Sequence, residues 1–175
     1  MSKIALLRPA LALAPFFIHC PESSFLALGR FVIFFVLGIS IFRDYGMTYD
    51  EGTMDSLATE SYNYVFKGMP WPTNTAWRYH GTLVELSLEI IQRQLFTYTP
   101  DTIYQRIFFR RFVSFIFFFS CSIIFFHLSR RYVKKWHWQL MTVGMLVISP
   151  RIFAHGFYNT RDIPEMTMFT LSMLT

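Results

Sequence analysis

The sequence predicts an all-α protein that forms a multi-span transmembrane helical bundle, with amphipathic interfacial helices in its first extracytoplasmic loop. Three observations lead to this fold class. Hydrophobic residues make up 53% of the 175-residue chain and charged residues only 15%, which leaves little polar surface to enclose a soluble core. The 21 phenylalanines far exceed the usage of a soluble domain. The apolar residues are also collected in separate runs, with polar stretches between them.

Four apolar runs are predicted to be transmembrane spans: residues 25–42, 112–128, 138–152 and 164–175. At about 1.5 Å per helical residue, the last run is too short to cross roughly 30 Å of hydrocarbon. We therefore expect the N-terminal part of a longer protein, or a truncated gene product. Residues 1–24 contain prolines and lack the small residues of a signal cleavage site, which predicts a cytoplasmic or interfacial lead-in.

The long polar stretch, residues 43–111, is the predicted extracytoplasmic loop, and it contains most of the carboxylates of the chain. Thr48 and Glu51 have the spacing of a capping box and predict that a first amphipathic helix begins there. Thr82 and Glu85 repeat this spacing and predict a second helix. The second helix has an apolar stripe for a membrane surface or neighbouring spans, and a polar stripe that consists of Glu85, Glu89 and Gln92.

Basic residues orient the predicted bundle. The segment RRYVKK, residues 130–135, marks the cytoplasmic side, because cytoplasmic loops are enriched in lysine and arginine. The loop of residues 43–111 and the short loop of residues 154–164 then share the opposite side. This topology predicts that Asp50 and Asp162, which are far apart in the sequence, face the same membrane surface.

Two pairs of acidic residues are candidate site residues. Asp50 and Glu51 are candidates for a general base, because a carboxylate can accept the proton of an attacking hydroxyl. Acids in the first turn of a helix also complement the helix dipole, so a purely structural role is the alternative. Asp162 and Glu165 are candidates for a second acidic site that binds a metal or substrate. The alternative is a solvated turn before a helix that has Pro164 at its first position and Asp162 near its cap.

Arg110 and Arg111 are candidates for binding a lipid phosphate through forked, charge-assisted hydrogen bonds. They fall on the extracytoplasmic side, against the positive-inside rule, which indicates a functional role. The alternative is that they anchor the second span at the membrane interface. The sequence has no glycine-rich phosphate loop and no nucleophile elbow. The acidic character of the long loop excludes nucleic acid as a partner.

The order of these features resembles the GT-C superfamily of integral-membrane glycosyltransferases. It is most similar to the protein O-mannosyltransferases and to the bacterial transferases that use polyprenyl-phosphate-linked sugars. The motifs are TYDEG (residues 48–52) directly after the first span, HGTLVELSLEIIQRQL (residues 80–95), RRFVSFIFFF (residues 110–119) and SPRIFAHGFYNTRDIP (residues 149–164). The resemblance covers residues 25–175.

The resemblance implies a hexosyltransferase-like enzyme whose donor is a polyprenyl-phosphate-linked sugar. It implies that Asp50 is the catalytic acidic residue and that Asp162 belongs to the second acidic loop. The expected mechanism is a single inverting displacement, in which Asp50 is the general base and Arg110 or Arg111 stabilises the departing phosphate. The second loop lacks a metal-binding Asp-x-Asp motif and offers Asp162 with Glu165 three residues on. A divalent metal is therefore compatible with the sequence but not required by it.

Two other classes fit the same composition. In a polytopic membrane transporter, Arg30 and the acids would line a translocation path. Most acids lie outside the predicted spans, which favours chemistry at the membrane surface. The third class is an inactive truncated gene product. The expected location is a bacterial inner membrane, where the multi-pass protein would contact membrane lipid, the sugar donor and an acceptor that the sequence does not identify.

Overall fold

The structure is a computed structural model, and its helices confirm the all-α prediction. Most of the predicted lead-in, residues 1–20, lies outside the residues that the structure describes. The described residues are 21–46, 48–71, 81–97, 99 and 102–174, without the side chains of residues 21–25, 49 and 50.

Seven helices account for the regular structure in this described part of the chain. Short turns connect most of them, and both predicted amphipathic helices are present. The helices are α1 (Pro21–Ile41), α2 (Tyr49–Lys67), α3 (Leu83–Leu95), α4 (Ile103–Ser129), α5 (Trp136–Ile148), α6 (Pro150–Tyr158) and α7 (Asp162–Leu174).

Helix α4 is the centre of the fold, and α1, α5, α6 and α7 pack along it. Helix α7 runs parallel to α4, since Thr167 donates a hydrogen bond to the Phe117 carbonyl and Arg131, just beyond α4, donates to carbonyls at the end of α7. Helix α1 runs antiparallel to α4, with Gly38 against Phe115 near one end. Helices α2 and α3 pack on each other beside the first turns of α4.

Helix α4 has 27 residues and is the one described helix that is long and apolar enough to cross a membrane by itself. At about 1.5 Å per residue it is roughly 40 Å long, which exceeds the hydrocarbon thickness of a bilayer. Helices α5 and α6 pass the same test together, but they are bent by 69° where they meet at Ser149. By length and composition, the described chain thus has one helix that could cross a membrane, or two if the bent pair is one span.

Residues 21–24 of the predicted lead-in already belong to α1, and two further boundaries differ from the sequence prediction. Helix α4 begins at Ile103, so residues 103–111 of the predicted loop are helical. The prediction missed this helical start because it treated the arginines of this segment as loop residues. In the structure, acids of other helices neutralise these arginines. The predicted third span, residues 138–152, is not one helix. It breaks at Ser149 because Pro150 cannot continue a hydrogen-bonded helix and instead begins α6.

Phenylalanine rings form the centre of the packing around α4. Phe115, Phe118 and Phe157 are completely buried. The Phe157 ring is stacked between two others: its centroid lies 5.4 Å from Phe115 and 4.9 Å from Tyr45. Gly156 lets the Phe118 ring approach α6 closely, because a Cβ atom at position 156 would lie 2.5 Å from that ring. The high phenylalanine content therefore supplies a tightly packed interior.

Candidate functional site at the polar end of helix α4

The first turns of α4, called here the polar end, lie next to the start of α2. Thr48 is the N-cap of α2, and Glu51 Oε2 accepts a hydrogen bond of 2.9 Å from the Thr48 backbone N–H. This is the glutamate half of the predicted capping box. Asp50, the predicted catalytic residue, is the second residue of α2, and its side chain lies outside the described residues.

Arg111 joins the start of α2 to the turn that follows α1. Its Nε and Nη2 atoms donate to the two carboxylate oxygens of Glu51 at 2.7 and 2.9 Å. The same guanidinium donates to the backbone carbonyls of Tyr45 at 2.6 Å and Gly46 at 3.2 Å. Arg111 is only 3% exposed. Because the contact with Glu51 is bidentate and buried, it fixes the orientation of the first turn of α2.

Arg110 occupies the adjacent position and is also buried. Its Nη1 atom donates to Glu85 and its Nε atom donates to the Gln92 side chain at 3.3 Å. It lies 3.5 Å from the Asp55 carboxylate of α2 and 3.8 Å from the Glu89 carboxylate of α3. Arg110 thus binds α2 and α3 together against α4.

The polar stripe of α3 faces the protein interior. Glu85, Glu89 and Gln92 are almost completely buried, whereas Leu83 and Leu95 on other faces of the helix are exposed. The predicted second capping box does not form. The Glu85 carboxylate binds Arg110 instead, and the Thr82 side chain makes no cap hydrogen bond. The amphipathic pattern was recognised correctly, and the polar stripe lies inside together with Leu88 because its carboxylates pair with arginines.

Glu85 also connects the polar end of α4 to the second acidic loop. Thr160, just before α7, donates a buried hydrogen bond to the Glu85 carboxylate. Ser114 of α4 donates to the Asn159 carbonyl at 3.2 Å. The segment before α7 and the first turn of α2 are thus both held at the polar end of α4. The backbone segments that carry Asp50 and Asp162 meet at the same end of the helix.

Asp162 is exposed at the start of α7, and hydrogen bonds with Asn159 fix its position. The Asn159 Oδ1 atom accepts from the Asp162 backbone N–H at 2.8 Å, while its Nδ2 atom donates to the Asp162 carboxylate at 2.8 Å. Asn159 is also 2.9 Å from His155 Nδ1. Glu165 is exposed and lies 3.8 Å from Arg161, a distance at which an exposed pair contributes little. Asp162 thus has a defined position and stays open to solvent.

The charges at the polar end are balanced. Four carboxylates pair with four guanidinium groups: Glu51, Asp55, Glu85 and Glu89 with Arg93, Arg106, Arg110 and Arg111. Each arginine therefore contacts acids of the chain itself, and the predicted contact of Arg110 or Arg111 with a donor phosphate stays a prediction that requires an exchange of partner. Among the side chains that the structure describes, no group of three or more histidine, cysteine, aspartate or glutamate residues is arranged to hold a metal.

Tyr45 is a titratable group at this end of α4, and its pKa is raised from the ordinary value of a phenol. Burial raises the pKa of the Tyr45 phenol above 10.0, and the charge of Tyr158 raises it further. The Tyr45 ring stacks on Phe157, and its carbonyl accepts from Arg111. Tyr45 therefore lies where the turn after α1 meets both the ion pairs and the aromatic core.

Sequence reasoning missed the roles of Glu85, Asn159 and Thr160. A signal for the first was present, since Glu85 and Glu89 are four residues apart, as are Arg106 and Arg110, so each pair lies on one helix face. Nothing in the sequence shows that these two faces meet. Asn159 is a common type of helix cap and could have been recognised from its place three residues before Asp162.

The chain was compared with protein-family models, with curated proteins and with solved structures, and it matches none of them.

Proposed function

We propose that the protein is a membrane glycosyltransferase of the GT-C type. It moves a sugar from a polyprenyl-phosphate carrier to an acceptor hydroxyl at the extracytoplasmic membrane surface. Asp50 is the general base that accepts the hydroxyl proton, and the sugar carbon is inverted in one displacement. The phosphate leaves as a stable anion, so the reaction needs no strong general acid.

One observation carries this proposal: the buried, bidentate contact between Arg111 and Glu51. Glu51 directly follows Asp50, so this contact holds the backbone of the proposed base at the junction of a long apolar helix and a polar segment. A lipid-linked donor has its reactive phosphate at such a junction, because its chain requires hydrocarbon and its sugar requires water. Catalysis by a general base requires this type of fixed placement.

The second acidic loop supports the same proposal. The Thr160–Glu85 and Ser114–Asn159 hydrogen bonds hold this loop at the polar end of α4. Asp162 is exposed there and could bind the acceptor, or a divalent metal together with groups from substrate. We assign Arg110 and Arg111 to the donor phosphate only if the donor displaces one of their present carboxylate partners.

A transporter is the second candidate, and one observation favours it. The 69° break between α5 and α6 resembles the discontinuous helices on which many transporters place their binding sites. The buried charges, however, lie at one end of α4 and not near its middle. Their position favours chemistry at a membrane surface over a path across it.

The test is sugar transfer by membranes that contain the protein, with polyprenyl-phosphate mannose as the radiolabelled donor. Asp50→Asn should reduce transfer by about 100-fold or more, as expected when a general base is removed. Asp44→Asn is the matched control, because it removes an exposed carboxylate from the turn just before α2. The control should retain full activity.

Equal transfer by Asp50→Asn and the wild-type protein would remove Asp50 from the catalytic role. If the wild-type protein transfers no sugar from mannose or glucose carriers while a reconstituted preparation moves a labelled solute across vesicles, the transporter becomes the better proposal. Expression of each variant is measured in the same membranes, so that loss of protein is not counted as loss of activity.

A further inference from the structure

A slot lies between α1 and the second half of α4. Its volume is about 360 Å³, within the range of roughly 300–1,000 Å³ that is typical of small-molecule sites. Phe35 and Phe119 line its inner part, and Leu28 and Val32 line its outer part. The two outer residues are more than half exposed, so the slot opens sideways from the bundle.

The side chain at one end of the slot is positively charged. Arg130 lines it and follows the last residue of α4, and its guanidinium lies over the Phe126 ring, 5.1 Å from the centroid. Arg130 is exposed, as are three further basic residues of the same turn: Arg131, Lys134 and Lys135. This end of α4 is called here the basic end. The slot is thus apolar along most of its length, with His127 in its wall, and positively charged at one mouth.

A second slot of about 290 Å³ lies on the other side of α1, against α5. It is also lined by apolar side chains, and Arg30 is its one charged lining residue. The Arg30 guanidinium lies 5.5 Å from the centroid of the Trp136 ring. Two apolar slots that flank one helix, each with an arginine in its wall, indicate an occupant with a long apolar part and a single anionic group.

We propose that the slot between α1 and α4 binds an acyl chain of an anionic glycerophospholipid, whose phosphate contacts Arg130. The apolar lining matches the chain, and the cationic mouth matches the headgroup, because basic residues at a membrane surface attract anionic lipid. A further protein helix would match the apolar lining, whereas an anionic lipid matches both the apolar lining and the cation at the mouth. The proposal rests on the membrane insertion proposed above and does not depend on sugar transfer.

The test uses the full chain, purified in mild detergent and titrated with phosphatidylglycerol or phosphatidylcholine while native mass spectrometry counts retained lipids. Val32→Trp fills the slot from α1 without replacing a buried residue. Val36→Trp is its matched control, since Val36 is similarly exposed on α1 but lines neither slot. Arg130→Gln removes the cation at the mouth, and Lys134→Gln removes an exposed cation of the same turn that does not line the slot.

We expect the wild-type protein to retain phosphatidylglycerol more tightly than phosphatidylcholine. Val32→Trp should abolish this difference, and Arg130→Gln should weaken phosphatidylglycerol retention by about five-fold. The two control variants should bind like the wild-type protein. Equal losses in Val32→Trp and Val36→Trp, or in Arg130→Gln and Lys134→Gln, would show general surface binding and overturn the proposal.

Sugar transfer distinguishes this proposal from the one on catalysis. Asp50→Asn should leave the number of retained lipids unchanged, because Asp50 lies at the start of α2, beside the polar end of α4. If lipid retention follows the expected pattern while no variant transfers sugar, the lipid site stands and the transferase proposal fails. Retention of both lipids at equal strength would overturn the lipid proposal whatever the result of the transfer assay.

Discussion

The two ends of α4 differ in the contacts that they make with the neighbouring helices. At the polar end, buried arginines bind carboxylates from α2 and α3, and the neighbouring turns are tied to them by hydrogen bonds. At the basic end, α1 lies beside two apolar slots, and the cations are exposed. Buried ion pairs give the first end one arrangement, whereas at the second end the apolar contacts of α1 leave room beside that helix. A fixed site for chemistry is therefore expected at the polar end and an exchangeable ligand at the basic end.

The ion pairs at the polar end do not by themselves make the protein more stable. Taking charges out of water costs free energy that their attraction only partly offsets, so a buried pair is weak evidence for stability. Removing one partner is different, because the other charge stays buried and uncompensated. The comparison between the ends can thus be tested by single substitutions, and the largest effect should come from the polar end.

The largest loss of stability is expected for Glu85→Ala. The substitution leaves Arg110 with only the longer contacts to Asp55 and Glu89 and leaves Thr160 without its acceptor, so we expect the free energy of unfolding to fall by about 3 kcal/mol, the low end for breaking a buried pair. Unfolding by denaturant in detergent, followed by circular dichroism, measures this. Glu165→Ala is the matched control, since its carboxylate is exposed, and it should change stability by less than about 0.5 kcal/mol. Similar values for the two variants would contradict the role of the buried pair.

An intermediate effect is expected for Gly38→Ala in α1. A Cβ atom at Gly38 would lie 2.0 Å from the Phe115 ring, so the ring must move, at an expected cost of about 1–3 kcal/mol. Gly29→Ala in the same helix is the control, because in the described part of the chain no atom outside the adjoining backbone of α1 lies within 4 Å of its added Cβ. It should stabilise the protein by roughly 0.5–1 kcal/mol through helix propensity. Thermal unfolding of both variants would show whether α1 is tightly packed at one end and loosely packed at the other.

The smallest effect on stability is expected at high pH, from the ionisation of Tyr45. The folded-state pKa of Tyr45 is raised above 10.0, so the neutral phenol is favoured in the folded state. This contribution to stability is fully present below pH 10 and is lost as the pH rises through the raised pKa. Tyr45→Phe keeps the ring stack on Phe157 and should remove this part of the alkaline loss. Absorbance of tyrosinate during an alkaline titration should show one fewer late-titrating group in the variant, and an unchanged titration would contradict the assigned burial.

Much of the fold followed from the sequence because local signals were strong. The prediction of an amphipathic helix from Thr48 agrees with α2, because a cap and a terminating glycine lie at its ends. The all-α class followed from composition and periodicity. The start of α4 was misplaced because Arg106, Arg110 and Arg111 were counted as polar loop residues. Only their partners on α2 and α3 make a helical, buried position favourable, and pairing between distant residues has no local signature.

The candidate site was predicted in outline only. The sequence indicates that Asp50 and Asp162 belong to polar segments on one side, and the structure brings these segments to one end of α4. The residues that hold them there were not predicted. Glu85 has the pattern of a helix cap, and its actual contacts with Arg110 and Thr160 join residues 25 and 75 positions away.

The order of the paired residues along the chain has a consequence for how the protein would be inserted into a membrane. Glu51, Asp55, Glu85 and Glu89 all precede Arg106, Arg110 and Arg111 in the sequence. Because synthesis proceeds from the N-terminus, in the proposed topology the acids cross first. The arginines then follow partners that can already neutralise them, and the translocated segment carries ion pairs in place of isolated cations. The location of these arginines on the extracytoplasmic side, against the positive-inside rule, would thus follow from the order in which the paired residues are synthesised.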